Sequence, residues 1–338
     1  MPPKWPKSAN PERKALELIE IGASNVARRF SFGGPMLDVG NGHRLYVEQA
    51  GQGVDALVLH GGPGSGCRSG HYDLFDLTRY RVTLMDQRGC GRSTPLASQT
   101  CAALDHNTTA HLIADIEAVR TLHDVDTWVL FGGSWGSTLA LAYAQAHPDR
   151  VRAMVLAGVA TTEARDLRWL YGDVGEMFPE AYAAFCAHVP EVDPDPVNTP
   201  ARIAAYAAAL QGPATAQAAA DAWCAWETGI FGGDINAPGS RYADPAFRLG
   251  FARIVTHYFT NGAWLAPKAL LRGVPGIAHL PCHMIHSRFD PSCPLRGAWE
   301  LARSWPAATL EILGGTAHSA LDADMVTRIR AATDALTV

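Results

Sequence analysis

Residues 127–146, TWVLFGGSWGSTLALAYAQA, constrain this chain more than any other stretch. A short apolar run ends in two glycines and a serine, and a helical pattern follows over Thr138–Ala146. So abrupt a passage from strand to helix leaves the turn residue strained. A side chain two positions before or after it would collide with the neighbouring strand or helix. Gly132, Ser134 and Gly136 therefore read as G-x-S-x-G, a serine raised on a tight turn. It falls at a helix N-terminus, whose dipole favours developing negative charge. The competing reading is an ordinary strand–turn–helix junction with a capping serine, and the strand before and helix after favour a nucleophile.

The surrounding pattern is β-α-β. Apolar runs at Ala56–His60, Arg81–Asp86 and Thr127–Phe131 each lead into a glycine-rich turn, and their lack of alternation suits strands buried on both faces. Between the second and third, Leu112, Ile113, Ile116, Val119 and Leu122 recur at helical spacing, with Asn107 or Thr108 as N-cap. A strand at Val151–Leu156 continues the alternation. From about Val159 to Pro267 the chain becomes rich in Ala, Trp and Tyr and reads as several helices, one of them expected to start at Pro213 after the break at Gly212. Strand-like runs return at Cys282–His286 and Thr309–Leu313, and a last amphipathic helix spans 322–336. The expected fold is α/β, a mostly parallel sheet with a helical cap. Residues 1–36 form a lead-in, 37–159 and 268–338 a catalytic domain, and 160–267 the cap.

Three further segments carry chemistry. LVLHGGPGSG (57–66) is a strand followed at once by glycines that let the backbone approach a reacting carbonyl. An oxyanion site needs two such N–H groups: Trp135, after the serine, supplies one, and Gly62 or Gly61 the other. No Lys-Ser/Thr follows these glycines, so a phosphate-binding loop is disfavoured. The base and its orienting acid come later in the order Ser…Asp…His. Asp290 in HSRFDPSCP and His318 in GGTAHSA each follow a strand, at the edge where open α/β sheets place ligands. Other aspartates lack that placement, and Asp86 in DQRGCGRS is expected to tie its loop to a neighbouring backbone or arginine.

Composition narrows the rest. In 338 residues, 48% hydrophobic and 18% charged, there is ample apolar material for a large core. A net charge of -5 gives no attraction to nucleic acid or an anionic membrane. Seven scattered cysteines without a CxxC pair suit reduced thiols, and no metal site is expected. No apolar run reaches membrane-spanning length, and the polar, charged N-terminus lacks a secretory signal's apolar stretch, so a cytoplasmic location is expected.

HGGPG (60–64), DQRGCGRS (86–93), NTTAHLIADIEAVR (107–120), GGSWGSTLALAYAQAHP (132–148), AWCAWE (222–227), ARIVTHYF (252–259), SRFDPSCP and AHSA together resemble the prolyl aminopeptidases, or proline iminopeptidases. The resemblance runs from about Leu37 to the C-terminus. It implies an α/β hydrolase with no metal or other cofactor that removes an N-terminal proline, or another small residue with a free amino group, from a small peptide or aminoacyl amide. It also implies a cap whose acidic residues hold the substrate's amino group, with Glu227 matching one of them and Tyr171 and Cys293 matching pocket residues. Several positions depart from the family pattern. Val255 stands where a second amino-binding glutamate is usual, with Thr256 as a substitute acceptor, and Ala157 and Ala160 replace an arginine and a pocket phenylalanine. Ser287 and Phe289 alter the acid loop. The sequence thus reads as a diverged member. The alternatives are an amidase, esterase or biosynthetic acyl hydrolase for a specialised non-proline substrate, or a binding module without turnover. An intact Ser/Asp/His set argues against the last.

Overall fold

A computed structural model describes residues 36–315 and 318–336, and every structural statement below concerns those residues. The expected lead-in lies outside them except for Met36. Eight strands form one sheet: β1 (Met36–Asp38), β2 (Arg44–Gly51), β3 (Val54–Leu59), β4 (Tyr80–Met85), β5 (Trp128–Gly133), β6 (Val151–Ala157), β7 (Cys282–Ser287) and β8 (Ala308–Leu313). Their order is β1-β2-β4-β3-β5-β6-β7-β8. The pairs from β4 through β8 are parallel, while β1 and β2 pair antiparallel at one edge. The central strands are the apolar runs seen in the sequence: Leu57–Leu59, Val129–Phe131 and Ala153–Ala157 are buried. Both faces must be covered for such residues to leave water.

The antiparallel edge was not anticipated. β2 reads RLYVEQAG, and its half-buried Glu48 and Gln49 break the apolar run that marks the inner strands. The boundaries of β3 to β8 agree with expectation to within two residues; for the inner strands burial on both faces makes the apolar run and the strand the same object, while the edge strand β8 is half-buried to exposed.

Helices α1 (Thr109–Leu122) and α2 (Trp135–Ala146) pack on the sheet. Thr108 caps α1, its hydroxyl accepting the His111 N–H. α2 starts three residues earlier than its apolar pattern does, immediately after Ser134. Between β6 and β7 the chain builds α3 (Ala164–Leu170), α4 (Pro179–Ala187), α5 (Thr199–Ala209), α6 (Ala216–Gly229) and α7 (Pro245–Thr260). Two short helices follow, α8 (Ala269–Arg272) and α9 (Val274–Ile277); α10 (Leu295–Ser304) and α11 (Ala323–Ala335) complete the chain order. The start expected at Pro213 is corrected: α6 begins at Ala216, preceded by Thr215, whose hydroxyl donates to the Ala209 and Gly212 carbonyls. Pro213 lies in the turn ahead of it.

The helical block has a core of its own. Tyr171, Phe185, Tyr206, Trp223 and Trp226 form an aromatic cluster apart from the apolar cluster that fills the sheet and its helices. Each aromatic side chain buries a large area and gains further from edge and offset contacts with its neighbours. Phe185 stacks on Tyr206 at 4.7 Å and on Trp226 at 5.4 Å. The block is tied to the sheet's core through α7, whose Ile254 and Tyr258 belong to the apolar cluster of the sheet.

Candidate active site

The glycines of the elbow are required by close approach. A Cβ on Gly136 would overlap the Leu59 carbonyl of β3, and one on Gly132 would overlap the Gly136 carbonyl. Without side chains there, β5 turns directly into α2 and leaves Ser134 at φ 53°, ψ −125°, a conformation that is costly for a residue with a Cβ. The Ser134 N–H donates to the Ala157 carbonyl at the end of β6 at 2.9 Å, which fixes the turn against the sheet. Trp135 then holds the first amide of α2, one of the N–H groups that a helix leaves without an internal acceptor.

The three residues separated widely in sequence meet here. His318 Nε2 lies 3.0 Å from Ser134 Oγ, and His318 Nδ1 lies 2.6 Å from Asp290 Oδ2. The other Asp290 oxygen accepts the Ser292 and Cys293 amides at 2.9 and 3.0 Å, so the carboxylate is held from both sides. Burial alone would lower the His318 pKa; the adjoining Asp290 carboxylate outweighs it and raises the value above 6.5. Phe231, from the helical block, stacks over the imidazole at 5.6 Å.

His60, Gly61 and Gly62 wall the same cavity. A Cβ on Gly61 would stand 3.3 Å from Ser134 Cβ, which measures how closely this loop passes the nucleophile. Gln87 bridges the two backbone segments that were expected to supply N–H groups. Its side-chain amide donates to the His60 carbonyl at 3.0 Å, and its oxygen accepts the Trp135 indole N–H at 3.0 Å. The Gln87 backbone N–H also reaches His60 Nε2 at 3.1 Å. Asp86 behaves as expected of a loop tie, accepting the Cys67 and Arg92 amides and the Arg92 side chain.

The cavity of about 620 Å³ opens on Ser134 and is roofed by the helical block. Glu227 stands in it. Its Oε1 accepts the Tyr171 hydroxyl at 2.6 Å and the Trp223 indole N–H at 2.9 Å. Burial raises its pKa, and the two donated hydrogen bonds oppose the shift. Both bonds fall on one oxygen. Tyr171, Ala160 and Cys293 also line the cavity. Burial first, then Asp290, pushes the Cys293 thiol well above its ordinary pKa, so it stands as a neutral wall.

Two expected substrate contacts are corrected. Val255 is fully buried in the aromatic core and does not line the cavity, although Phe251 and Phe259, four residues to either side on α7, do. Residues four apart share a helix face, and the short valine stops beneath it. Thr256 offers no acceptor to a ligand: it is buried, and its hydroxyl bonds back to the Ala252 and Arg253 carbonyls. Ala157 likewise has no place in the lining. The sequence reading missed Gln87, Phe231, Arg68 and Arg241 as cavity or support residues. Gln87 lies in the quoted DQRG segment, but its role depends on a contact with Trp135, 48 positions away, which no local pattern encodes.

Comparison with known proteins extends this geometry. A profile of the alpha/beta hydrolase fold matches residues 57–186. The proline iminopeptidase of Xylella fastidiosa (strain 9a5c) is 42% identical over 307 residues, covering 88% of this chain and 95% of that protein. The chain belongs to the proline iminopeptidase family. The proline iminopeptidase of Neisseria gonorrhoeae is 39% identical over 85% of this chain and 90% of its own length. That of Arabidopsis thaliana is 39% identical over 84% and 74%. Among solved structures, the proline iminopeptidase of Mycobacterium smegmatis superposes with a TM-score of 0.55 at 18% identity, covering 89% of this chain and 98% of that one, which supports the fold. As a member of the proline iminopeptidase family, the chain is a hydrolase of the aminopeptidase type. No helix among the described residues is long and apolar enough to cross a membrane.

Proposed function

We propose that this chain releases an N-terminal proline, or another small residue with a free amino group, from a short peptide or aminoacyl amide through an acyl-enzyme. The observation that carries the reading is the placing of Glu227, both of whose hydrogen bonds fall on one carboxylate oxygen, in the same cavity as the Ser134–His318–Asp290 chain of contacts. A protonated amine brought under the helical roof loses water and needs a compensating carboxylate.

Ser134 Oγ attacks the scissile carbonyl carbon while its proton passes to His318 Nε2. Asp290 holds the imidazole with Nδ1–H toward itself and stabilises the imidazolium. The carbonyl oxygen, now carrying negative charge, is held by the Trp135 N–H and that of Gly62 or Gly61. The C–N bond breaks as the leaving nitrogen takes the proton from His318. Water, deprotonated by the same imidazole, then splits the ester and returns Ser134. Residues 37–159 and 268–338 act as the catalytic domain and 160–267 as the cap that closes over the substrate, in the cytoplasm.

The test is to compare prolyl and alanyl arylamides with their N-acetylated counterparts. Glu227→Gln should lower kcat/KM for the free-amine substrates by about 10- to 100-fold, the worth of one hydrogen bond to a charged group. Acetylation should abolish turnover in the parent enzyme. Equal rates with and without the acetyl group would sink the aminopeptidase assignment.

A further inference from the structure

The cavity has a second charged wall that the steps above do not use. Arg68 and Arg241 both border it. Arg241 comes from the segment between α6 and α7 and crosses to the glycine loop, donating to the Ser65 carbonyl at 2.9 Å and to Ser65 Oγ at 3.2 Å. Its guanidinium lies 5.5 Å from the Tyr242 ring centre and 5.0 Å from that of Phe247, which limits its freedom. These contacts use two of the five N–H groups that a guanidinium carries. Among the described residues neither arginine forms a close ion pair, and the carboxylate that Arg241 acts on is Glu227, whose pKa it lowers against the larger effect of burial. The two are close enough that Arg241, after burial, depresses the Arg68 pKa. His71 on the same wall is pushed down to about 4, by burial first, so the positive charge here belongs to the arginines.

The part of this wall that carries Arg68 lies on the side of the base. Leu321, three residues past His318, packs within 3.6 Å of where a Gly70 Cβ would stand, so the loop bearing Arg68 adjoins the histidine loop. His318 delivers its proton to the leaving nitrogen, and whatever that nitrogen carries must lie on this side. In a dipeptide the leaving group is a free amino acid, and two extended residues span only about 7 Å.

We propose that Arg68 and Arg241 form a subsite for the α-carboxylate of the leaving residue, making dipeptides with a free C-terminus preferred substrates. This rests on the aminopeptidase reading, with the amine at Glu227. Guanidinium and carboxylate match in shape and charge, and the fixed Arg241 is pre-organised for the pairing.

The experiment compares prolyl-leucine with its C-terminal amide in the full-length enzyme and in Arg68→Gln and Arg241→Gln. Wild-type kcat/KM should favour the free acid about 10-fold, carried by KM; the low end of charged-pair values applies because Arg68 is exposed. Each substitution should move the acid-to-amide ratio toward one, and high salt should do so in the parent. Taking the ratio within each variant cancels any general loss from releasing Ser65. A wild-type ratio near one, or an unchanged ratio in both variants, overturns the subsite. Prolyl arylamide, which has no carboxylate, separates the two ideas: turnover of it with a ratio near one refutes the subsite alone. If arylamide is not cleaved, the aminopeptidase reading fails. Calorimetric binding of the dipeptide and its amide to Ser134→Ala then decides the subsite without turnover.

Discussion

The two walls of the cavity are built by different means. On the sheet side, backbone geometry sets the positions: an elbow whose glycines pass against Leu59 and Gly136, a glycine loop beside Ser134, and two loops leaving β7 and β8. On the helical side, long side chains from separate helices do the placing, with Tyr171, Trp223 and Glu227 converging from the end of α3 and from α6. A wall set by backbone tolerates few substitutions and keeps its chemistry. A wall set by side chains can change its substrate without refolding the sheet; of the departures from the family pattern, Val255 lies on that side, while Ala157, Ser287 and Phe289 stand at the ends of β6 and β7.

The largest effect that tests the contrast belongs to the sheet side. Asp290→Asn should leave the fold intact and lower kcat by about 10⁴, the cost known for a triad whose histidine takes the wrong tautomer. It should also move the pH profile. His318 must be neutral to accept a proton, so the parent kcat/KM falls as pH drops through a pKa above 6.5. Without the carboxylate, burial dominates and that acid limb shifts to lower pH. Stopped assays from pH 5 to 9 read both effects. A limb that stays in place would mean that Asp290 does not govern the imidazole.

A smaller effect is expected at Gln87, which joins the two segments proposed to carry the oxyanion donors. Removing a direct donor costs about 10²–10³ in kcat. Gln87 acts through others, so Gln87→Leu should cost about 10-fold in kcat with KM little changed, and Gln87→Glu, which keeps an acceptor for Trp135, less. Affinity for a boronic acid, which forms the tetrahedral adduct, should fall in step with kcat. A loss confined to KM or to thermal stability would reduce Gln87 to a structural tie.

The same contrast explains what could be read from the chain. Ser134, Asp290 and His318 were legible because each follows a strand-like run; β5 and β7 are buried and announce themselves as apolar, while the edge strand β8 shows the alternation of TLEIL. Asp86 was legible as a loop tie for the same reason: position relative to a strand limits what it can reach. β2 was not, since its half-buried Glu48 and Gln49 interrupt the apolar run and it does not look like an inner strand. Glu227 came from family resemblance, because nothing in AWCAWE says which face of α6 looks into the cavity. Arg241 was invisible: it opens a single 3₁₀ turn, Arg241–Ala243, with no apolar pattern to mark it, and its partner Ser65 is 176 positions away.

Val255 is where the helical wall can be changed most gently. It shares a face of α7 with Phe251 and Phe259, both of which reach the cavity, while the valine itself is buried below them. A glutamate there is longer and starts from the same face, so its carboxylate would be driven toward the cavity that Phe251 and Phe259 line. Leaving it among Tyr171 and Trp223 unpaired would cost several kcal/mol, an estimate of about 2–7 for an uncompensated polar group. If it reaches the cavity, Val255→Glu adds a second carboxylate for the substrate amine beside Glu227. Prolyl arylamide KM should then drop about 3- to 10-fold, the lower part of a charged hydrogen bond's worth, because two neighbouring carboxylates also repel. Glu227→Gln in the Val255→Glu background should lose less than it does alone, since the new carboxylate shares the amine. Unchanged KM together with a lowered Tm would mean that the glutamate stays buried. Position 255 would then belong to the core of the cap, and the specificity of this wall would rest on Glu227.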